Sequence, residues 1–434
     1  MKLNVLKTLV ISLAFFTISL AWTTYNTYVP VFLKGLIDSS TLLGAIMTLD
    51  NVFGLIFQPY FGKLSDKTKT RFGRRMPFMI IGIPLAALFF MMVPFYNQLG
   101  SLFSFDIRLP LLMVFVIAMN FFMSIYRAPA VALMPDATPA PLRSRANGII
   151  TAMGGLGTII SFVAGGMLFN INISYPFLMG GGLMIFALLM LIFFYKEPEV
   201  PYSADEDKEP EIDTGLFWGK NGQKSAISRT PSLLYMLFTV FFWFCGFECL
   251  NAFFTLFAQE RYGILPGDAT QMLAPMAVIF MISALPAGLI GSKLGRKTTM
   301  LLGNILLIST FVIVVLLKNQ NFLAIVMGFS GIGWALMTTN AYPAVAEMAP
   351  KGQTGRYTGY YFVFTFAASI ASPILYGLTA DLLGSQAYLF LFGGVMFTLG
   401  LLFLFNVKKH DVSHSEEVLL KPQQDQQATA CDIH

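Results

Sequence analysis

GLIFQPYFGKLSDKTKTRFGRRMPF, residues Gly54–Phe78, is the stretch that decides the fold of this chain of 434 residues. An apolar run ends within it, six of the 28 basic residues fall between Lys63 and Arg75, and the next apolar run begins at Phe78. Dense positive charge in a short loop between two apolar segments is typical of the cytoplasmic side of a membrane protein. The stretch therefore predicts two membrane-spanning helices joined by a short cytoplasmic loop.

The composition extends this interpretation to the whole chain. With 56% hydrophobic and 12% charged residues, the chain lacks the polar surface that a soluble protein of this size presents to water. A spanning helix needs about 20 mainly apolar residues. Windows of this kind predict twelve helices, numbered 1 to 12, at residues 8–33, 41–62, 78–96, 109–133, 146–169, 175–195, 232–258, 270–291, 298–317, 321–346, 357–379 and 386–407.

Two loop patterns occur once in each half of the chain. They are GKLSDK at 62–67 with GRR at 73–75, which return as GLIGSK at 288–293 with GRK at 295–297, and DATPAPLRSR at 136–145, which returns as EMAPKGQTGR at 347–356. Each pattern falls on corresponding loops of the two halves, so the chain is built from two homologous parts. We therefore expect an all-α membrane protein with twelve transmembrane helices in two pseudo-symmetric six-helix bundles, an architecture of alternating-access carriers.

The distribution of charge predicts the domain boundaries and the orientation. We expect an N-terminal six-helix bundle at 1–195, a cytoplasmic linker at 196–231, a C-terminal six-helix bundle at 232–407 and a disordered cytoplasmic tail at 408–434. Segments predicted to be cytoplasmic hold 23 Lys and Arg residues and external loops hold four. This bias predicts a multi-pass protein of the cell membrane with both termini in the cytoplasm. The net charge of +5 follows from this topology and does not indicate nucleic-acid binding.

The loop motifs resemble the major facilitator superfamily, whose signature is a glycine-x-leucine-x-aspartate-basic loop that ends in glycine-arginine-basic. The extended form here, with Gln58-Pro59, Ser65-Asp66 and RFGRR at 71–75, is similar to the plant sucrose/proton symporters and their animal and bacterial relatives, as is Arg127-Ala128-Pro129. The resemblance implies a secondary active transporter that takes up a sugar or glycoside by alternating access, with a proton favoured over sodium as the coupling cation. The plant symporters carry an aspartate in helix 4 where this chain has Val116, so another acid is expected to carry the proton.

Three ionisable side chains lie deep inside the predicted helices: Asp50 in helix 2, Arg127 in helix 4 and Glu248 in helix 7. A charge in a bilayer is costly and normally faces a partner or a water-filled cavity. Burial favours the neutral form of a carboxylic acid, so Glu248 and Asp50 are the candidates for cation coupling. Arg127 can hold sugar hydroxyls with its fork of donors. The alternative is a structural ion pair between Asp50 and Arg127.

A sugar site needs aromatic faces for C–H groups and paired donors and acceptors for hydroxyls. By analogy with the superfamily, helices 1, 4, 7 and 10 surround the central cavity. The candidates for substrate binding, besides Arg127, are Trp22, Asn26, Asn120, Trp243, Asn251, Trp334, Asn340 and Tyr342. For each Trp, the alternative is an aromatic side chain in the core or at the lipid interface.

A further set of charges lies in the loops of the two repeats. Resemblance implies that Asp66, with Arg74 and Arg75 beyond it, locks one half against the other in the outward-open state. Symmetry extends this gating role to Asp136, Arg145, Glu347 and Arg356. The alternative is that these charges only set the topology.

Other classes of function fit the sequence less well. An efflux or exchange carrier for another small organic solute is the second hypothesis. Against an enzyme, the predicted helices hold no cluster of His, Cys or carboxylates at metal-ligand spacing, and against a receptor, every predicted external loop is short. We expect no cofactor and no metal, a sugar and a coupling cation as small-molecule partners, the lipid bilayer as surroundings, and a monomer.

Overall fold

The structure is a computed structural model that describes residues 3–198, 202, 231–317, 319–350 and 353–408. The predicted tail from 409 onward, and the predicted linker apart from 196–198, 202 and 231, lie outside these residues. Within the described part of the chain, twelve helices are long and apolar enough to span a membrane. They are α1 (Val5–Lys34), α2 (Ser40–Lys67), α3 (Met76–Gly100), α4 (Arg108–Ala137), α5 (Arg145–Ile171), α6 (Tyr175–Phe194), α7 (Pro231–Tyr262), α8 (Pro266–Leu294), α9 (Arg296–Leu316), α10 (Gln320–Glu347), α11 (Thr354–Leu383) and α12 (Gln386–Asn406).

This architecture confirms the predicted fold class. Several helices are longer than their apolar windows because polar residues continue the helix beyond the hydrocarbon layer: α2 runs to Lys67, although its window ends at 62. Two helices are locally irregular. α2 is interrupted at Thr48, and α5 contains a π-helical turn at Ser161–Gly165.

Packing groups the helices into two sets. In the first set, α1 packs against α5 and α6, and α4 packs against α2 and α3. In the second set, α7 packs against α11 and α12, and α10 packs against α8 and α9. The two sets meet mainly along three helix pairs, which are α1 with α7, α2 with α11 and α5 with α8, and α1 also touches the start of α8.

The two ends of the bundle differ in how closely these sets meet. We call the end that carries the loop at 68–75 the basic face and the other end, where α2 begins, the opposite face. At the opposite face a Cβ atom on Gly44 would lie 2.1 Å from the carbonyl oxygen of Pro373 on α11. A Cβ atom on Gly377 of α11 would likewise lie 2.2 Å from the carbonyl oxygen of Ser40 on α2. Glycine is required at both positions because backbone touches backbone there.

Toward the basic face α5 and α8 separate. On α5 and α8, a Cβ atom on Gly155 would meet the Met281 sulfur at 3.1 Å. Seven residues nearer the basic face, on the same sides of these helices, lie Gly148 and Gly288. A Cβ atom on either of these glycines would have nothing within 4 Å. The space between the two sets of helices therefore opens toward the basic face.

Candidate transport site

Asp50 and Glu248 place one carboxylate from each set of helices in the middle of the bundle. Asp50 follows the interruption at Thr48 and is buried, with its Oδ1 accepting hydrogen bonds from the backbone N–H of Asn51 at 2.6 Å and from the Asn51 amide at 2.9 Å. Glu248 lies on α7 and accepts a hydrogen bond of 3.3 Å from Asn251, one turn further on. The two acids lie within electrostatic range of each other.

Arg127 is held by an aromatic ring instead of by an acid. Its guanidinium carbon lies 4.2 Å from the centroid of the Trp22 ring, which is the geometry of a cation–π contact. Asp50 is within electrostatic range of Arg127, yet among the described residues no carboxylate lies within 4.0 Å of it, the distance that defines the ion pairs found elsewhere. The contact ion pair between Asp50 and Arg127 that the sequence allowed is therefore not formed in this state.

One further residue joins this group that sequence reasoning did not single out. The hydroxyl of Tyr25, on α1, is buried next to Asn120 and within electrostatic range of Asp50. Asn120 donates a hydrogen bond of 3.0 Å to the carbonyl oxygen of Val116, so its amide is held by its own helix. A tyrosine among many in apolar helices gives no signal that could have distinguished it.

The aromatic candidates of α7 and α10, Trp243 and Trp334, lie in different surroundings. Trp334 lies parallel to Phe247 with ring centroids 4.0 Å apart, and Phe244 meets it edge-on at 5.4 Å. Trp243 faces the other way. It is 1% exposed and packs where a Cβ atom on Gly400 of α12 would lie 2.6 Å from its ring. Trp243 is thus part of the packing between α7 and α12.

Asn340 and Tyr342 also lie apart from the central charges. The Asn340 amide donates hydrogen bonds to the carbonyl oxygens of Ala287 (3.2 Å) and Leu336 (3.0 Å), and its oxygen fills the space beside Gly291. It therefore holds α10 against α8. Tyr342 is 41% exposed, and its ring contacts Tyr361 edge-on at 5.6 Å. Asn26 on α1 is half-buried.

The loop charges of the first half form a cluster around Arg75. Its Nε donates to Asp136 at 2.9 Å, and one of its terminal nitrogens contacts Asp66 and Ser65, both at 2.5 Å. Arg74 adds a contact of 3.3 Å to Asp136. Burial lowers the pKa of Arg75. Asp136 and Asp66 raise it through their negative charges and their hydrogen bonds with the guanidinium, and this effect is the larger one, so the pKa of Arg75 lies above its usual value.

Glu197, just after α6, completes this cluster and was not identified from the sequence. Its carboxylate accepts hydrogen bonds from the backbone N–H groups of Arg75 at 3.2 and 3.0 Å and of Met76 at 3.4 Å. These N–H groups belong to the start of α3, where a negative charge is favoured. Glu197 falls in the predicted linker, where one acid among several carries no distinguishing pattern.

In the second half, Arg296 contacts Glu347 at 2.7 and 2.5 Å, and Arg356 donates to the Tyr360 hydroxyl at 2.6 Å. Arg145 is exposed. The contact between Arg296 and Glu347 joins α9 to α10 within the second half, and the contact between Arg356 and Tyr360 lies within α11. The role of all seven residues in the outward-open state stays a prediction.

This arrangement of helices, with buried polar groups between two sets that separate at one face, is that of a membrane transporter. Residues 11–285 and 269–425 match the Major Facilitator Superfamily, and the chain belongs to that family. It is therefore a secondary transporter and not an enzyme.

The relatives point to more than one kind of cargo. The chain is 26% identical over 390 residues to Multidrug resistance protein 2 of Bacillus subtilis, covering 88% of this chain and 91% of that protein. It is 27% identical over 126 residues to the Sucrose transport protein SUC3 of Arabidopsis thaliana, covering 26% of this chain and 21% of that protein.

Among solved structures, the chain is similar to a bacterial homolog of the human lysosomal transporter Spinster in an inward-facing and occupied conformation. The TM-score is 0.70 at 12% identity, over 94% of this chain and 98% of that one. At this level of identity the match supports the fold and does not identify the cargo.

The two acids that contact Arg75 provide a test of the cluster. Asp136 is 1% exposed and Asp66 is 50% exposed as side chains. Asp136→Asn should destabilise the protein by about 2 kcal/mol because Arg75 keeps its charge in a buried place with a weaker partner. Asp66→Asn, the matched control, should have a much smaller effect because water replaces the lost partner. Thermal unfolding in detergent measures both, and equal losses of stability would contradict the structural role of Asp136.

Proposed function

We propose that this protein takes up a sugar or glycoside by alternating access and couples uptake to protons. The observation that carries the proposal is Arg127 stacked on Trp22. The guanidinium of Arg127 stacks on an aromatic ring and not on a carboxylate. Its N–H groups can therefore donate hydrogen bonds to the hydroxyls of a sugar. An aromatic surface and hydrogen-bond donors then lie side by side, as a sugar ring requires.

Further polar and aromatic residues near the central charges extend this site. Asn26, Asn120, Asn251 and Trp334 lie on the helices that carry the central charges or pack on them, and we assign them to substrate binding. Trp243, Asn340 and Tyr342 are left out, because their contacts lie in helix packing or at an exposed surface. The local similarity to a sucrose transport protein supports the same class of cargo.

The acids supply the proposed coupling. Glu248 is the first candidate, since its contact is an amide and not a cation. A neutral acid at this depth costs less than a charged one, so protonation and release accompany exposure to water. Asp50 is the second candidate because it lies within electrostatic range of both Glu248 and Arg127.

The distribution of positive charge supports an orientation for this cycle. We propose that the protein is a monomer in the cell membrane with both termini in the cytoplasm, so that the basic face is cytoplasmic. In that orientation the structure is the inward-open state. The contacts between α2 and α11 then close the pathway on the outer side.

The ring of Trp22 provides the first test of the cargo. Trp22→Ala should raise the apparent KM for the transported sugar by about tenfold, the loss of about 1.4 kcal/mol of stacking. Trp22→Phe should recover part of this loss because it keeps an aromatic face. Trp243→Phe serves as the control, since Trp243 lies in packing against α12 and its replacement should leave KM unchanged. Uptake of labelled sugars into vesicles gives these values, and a normal KM in Trp22→Ala would place the sugar elsewhere.

The coupling acid is tested by separating accumulation from exchange. Glu248→Gln keeps the shape and hydrogen bonding of a protonated acid but cannot release a proton, so it should abolish uphill accumulation and spare counterflow. Glu248→Asp should retain accumulation because the group still titrates. Asp50→Asn is measured in parallel and should fold normally, because Arg127 does not depend on it for a contact ion pair. If both amide variants still concentrate sugar with unchanged pH dependence, proton symport is excluded.

Efflux or exchange of another small organic solute is the second candidate, and the similarity to Multidrug resistance protein 2 over most of the chain favours it. The direction of transport distinguishes this candidate from sugar uptake. Cells that express the protein are compared for uptake of a panel of labelled sugars and for extrusion of a fluorescent organic solute. Extrusion driven by a pH gradient, without uptake of any sugar, would select the second candidate.

A further inference from the structure

Asp381, near the end of α11, contacts the beginning of α2 across the boundary between the two sets of helices. Its carboxylate accepts hydrogen bonds from the backbone N–H of Ser40 at 2.6 Å and from that of Thr41 at 2.9 Å. It also accepts from the hydroxyls of Ser39 at 2.8 Å and of Thr41 at 2.7 Å. Four donors of one half therefore converge on one carboxylate of the other half.

The chemistry of a helix start explains this contact. The first N–H groups of a helix have no partner within the helix, and the helix dipole favours a negative charge at this end. Ser39 is the N-cap of α2, and its hydroxyl oxygen accepts from the N–H of Leu42 while its hydrogen is donated to Asp381. Asp381 thus supplies the acceptor for the remaining groups from the neighbouring half.

This contact sits where the backbones of α2 and α11 touch. Gly377, one helical turn before Asp381, faces the carbonyl oxygen of Ser40, and Gly44 faces Pro373. Gln386, at the start of α12, donates to the Ser40 hydroxyl at 2.6 Å. All these contacts must break before the opposite face can open, because their donors and acceptors belong to different halves.

A second pair of helices at this face, α5 and α8, is also joined by an acid and a neutral donor. Asn170, near the end of α5, donates to Asp268 at the start of α8 at 2.7 Å. Here too the acid belongs to the second half and the donor in the first half is neutral. Neutral donors and exposed acids give contacts of modest strength, since water competes for the same groups. Such contacts favour one state and still allow it to open.

We infer that Asp381 is a further residue of the transport cycle, which stabilises the state closed at the opposite face by binding the N-terminus of α2. Loss of its charge shifts the carrier toward the state that is open at that face. The inference depends on alternating access and not on the identity of the cargo.

Distances between spin labels at the opposite face test this inference. Tyr175 begins α6 in the first half and Leu316 ends α9 in the second, so labels at these positions stay clear of Asp381 and report on the opening of this face. Cys245, Cys249 and Cys431 are first replaced by Ser. Asp381→Asn should increase the ratio of the long to the short distance by about fivefold, and Asp381→Ala should increase it further.

Asp106→Asn is the matched control. Asp106 is an exposed acid of the same face whose carboxylate pairs with Arg108 at 2.7 Å within one half. Its replacement should leave the distances unchanged. A second route removes side-chain donors and keeps the acid: Ser39→Ala combined with Thr41→Val should shift the ratio in the same direction as Asp381→Asn, by a smaller amount. Wild-type distances in a folded Asp381→Asn variant, or an equal shift in Asp106→Asn, would overturn the inference.

Discussion

Contact between the backbones of α2 and α11 at the opposite face is the constraint on which the rest of this structure depends. Gly44 and Gly377 allow it, because any side chain at either position would overlap a carbonyl oxygen of the other helix. Closure at this end leaves α5 and α8 to separate from Gly155 onward. The separation of the two sets of helices at the basic face therefore goes together with close packing at the other end of the bundle.

The central charges are divided between the halves, so a movement of one half against the other changes the distances between them. Asp50 and Arg127 belong to the first half and Glu248 to the second. The interaction between two charges depends on their separation and on how much water lies between them. Movement of one half against the other changes both quantities for Asp50 and Glu248. Under the proposed function, protonation of these acids therefore depends on the same relative movement of the two halves that carries the solute across the membrane.

The sequence was sufficient to predict the architecture. It was insufficient to predict which side of each helix faces the centre of the bundle. Hydropathy and the repeated loops predicted twelve helices, because a bilayer imposes both the length and the composition of a spanning segment. Whether Trp243 or Trp334 faces the cavity depends on rotation about α7 and α10, which nearly uniform apolar composition does not reveal. Asp381 and Glu197 were missed for a different reason: each is an ordinary acid at a helix end, and its partner is distant in sequence.

The loops at the basic face show how each half remains a single body. In the first half, Glu197 follows α6 and binds the N-terminus of α3. In the second half, Lys297 at the start of α9 donates to the carbonyl oxygens of Phe405 (2.9 Å) and Val407 (2.5 Å) at the end of α12. The sixth helix is thus tied to the third in both halves, by an acid in one and by a base in the other.

The polarity differs, but each tie satisfies unpaired backbone groups of a helix terminus with the charge that the terminus favours. Arg75 binds Asp136 in the first half and Arg296 binds Glu347 in the second, while Ser292 occupies the position that corresponds to Asp66. Among the described residues, the first half has the larger number of ion pairs in this cluster. Contacts of this kind keep the helices of one half from shifting against their neighbours. A contact at the opposite face can affect the basic face only if each half moves as a rigid body.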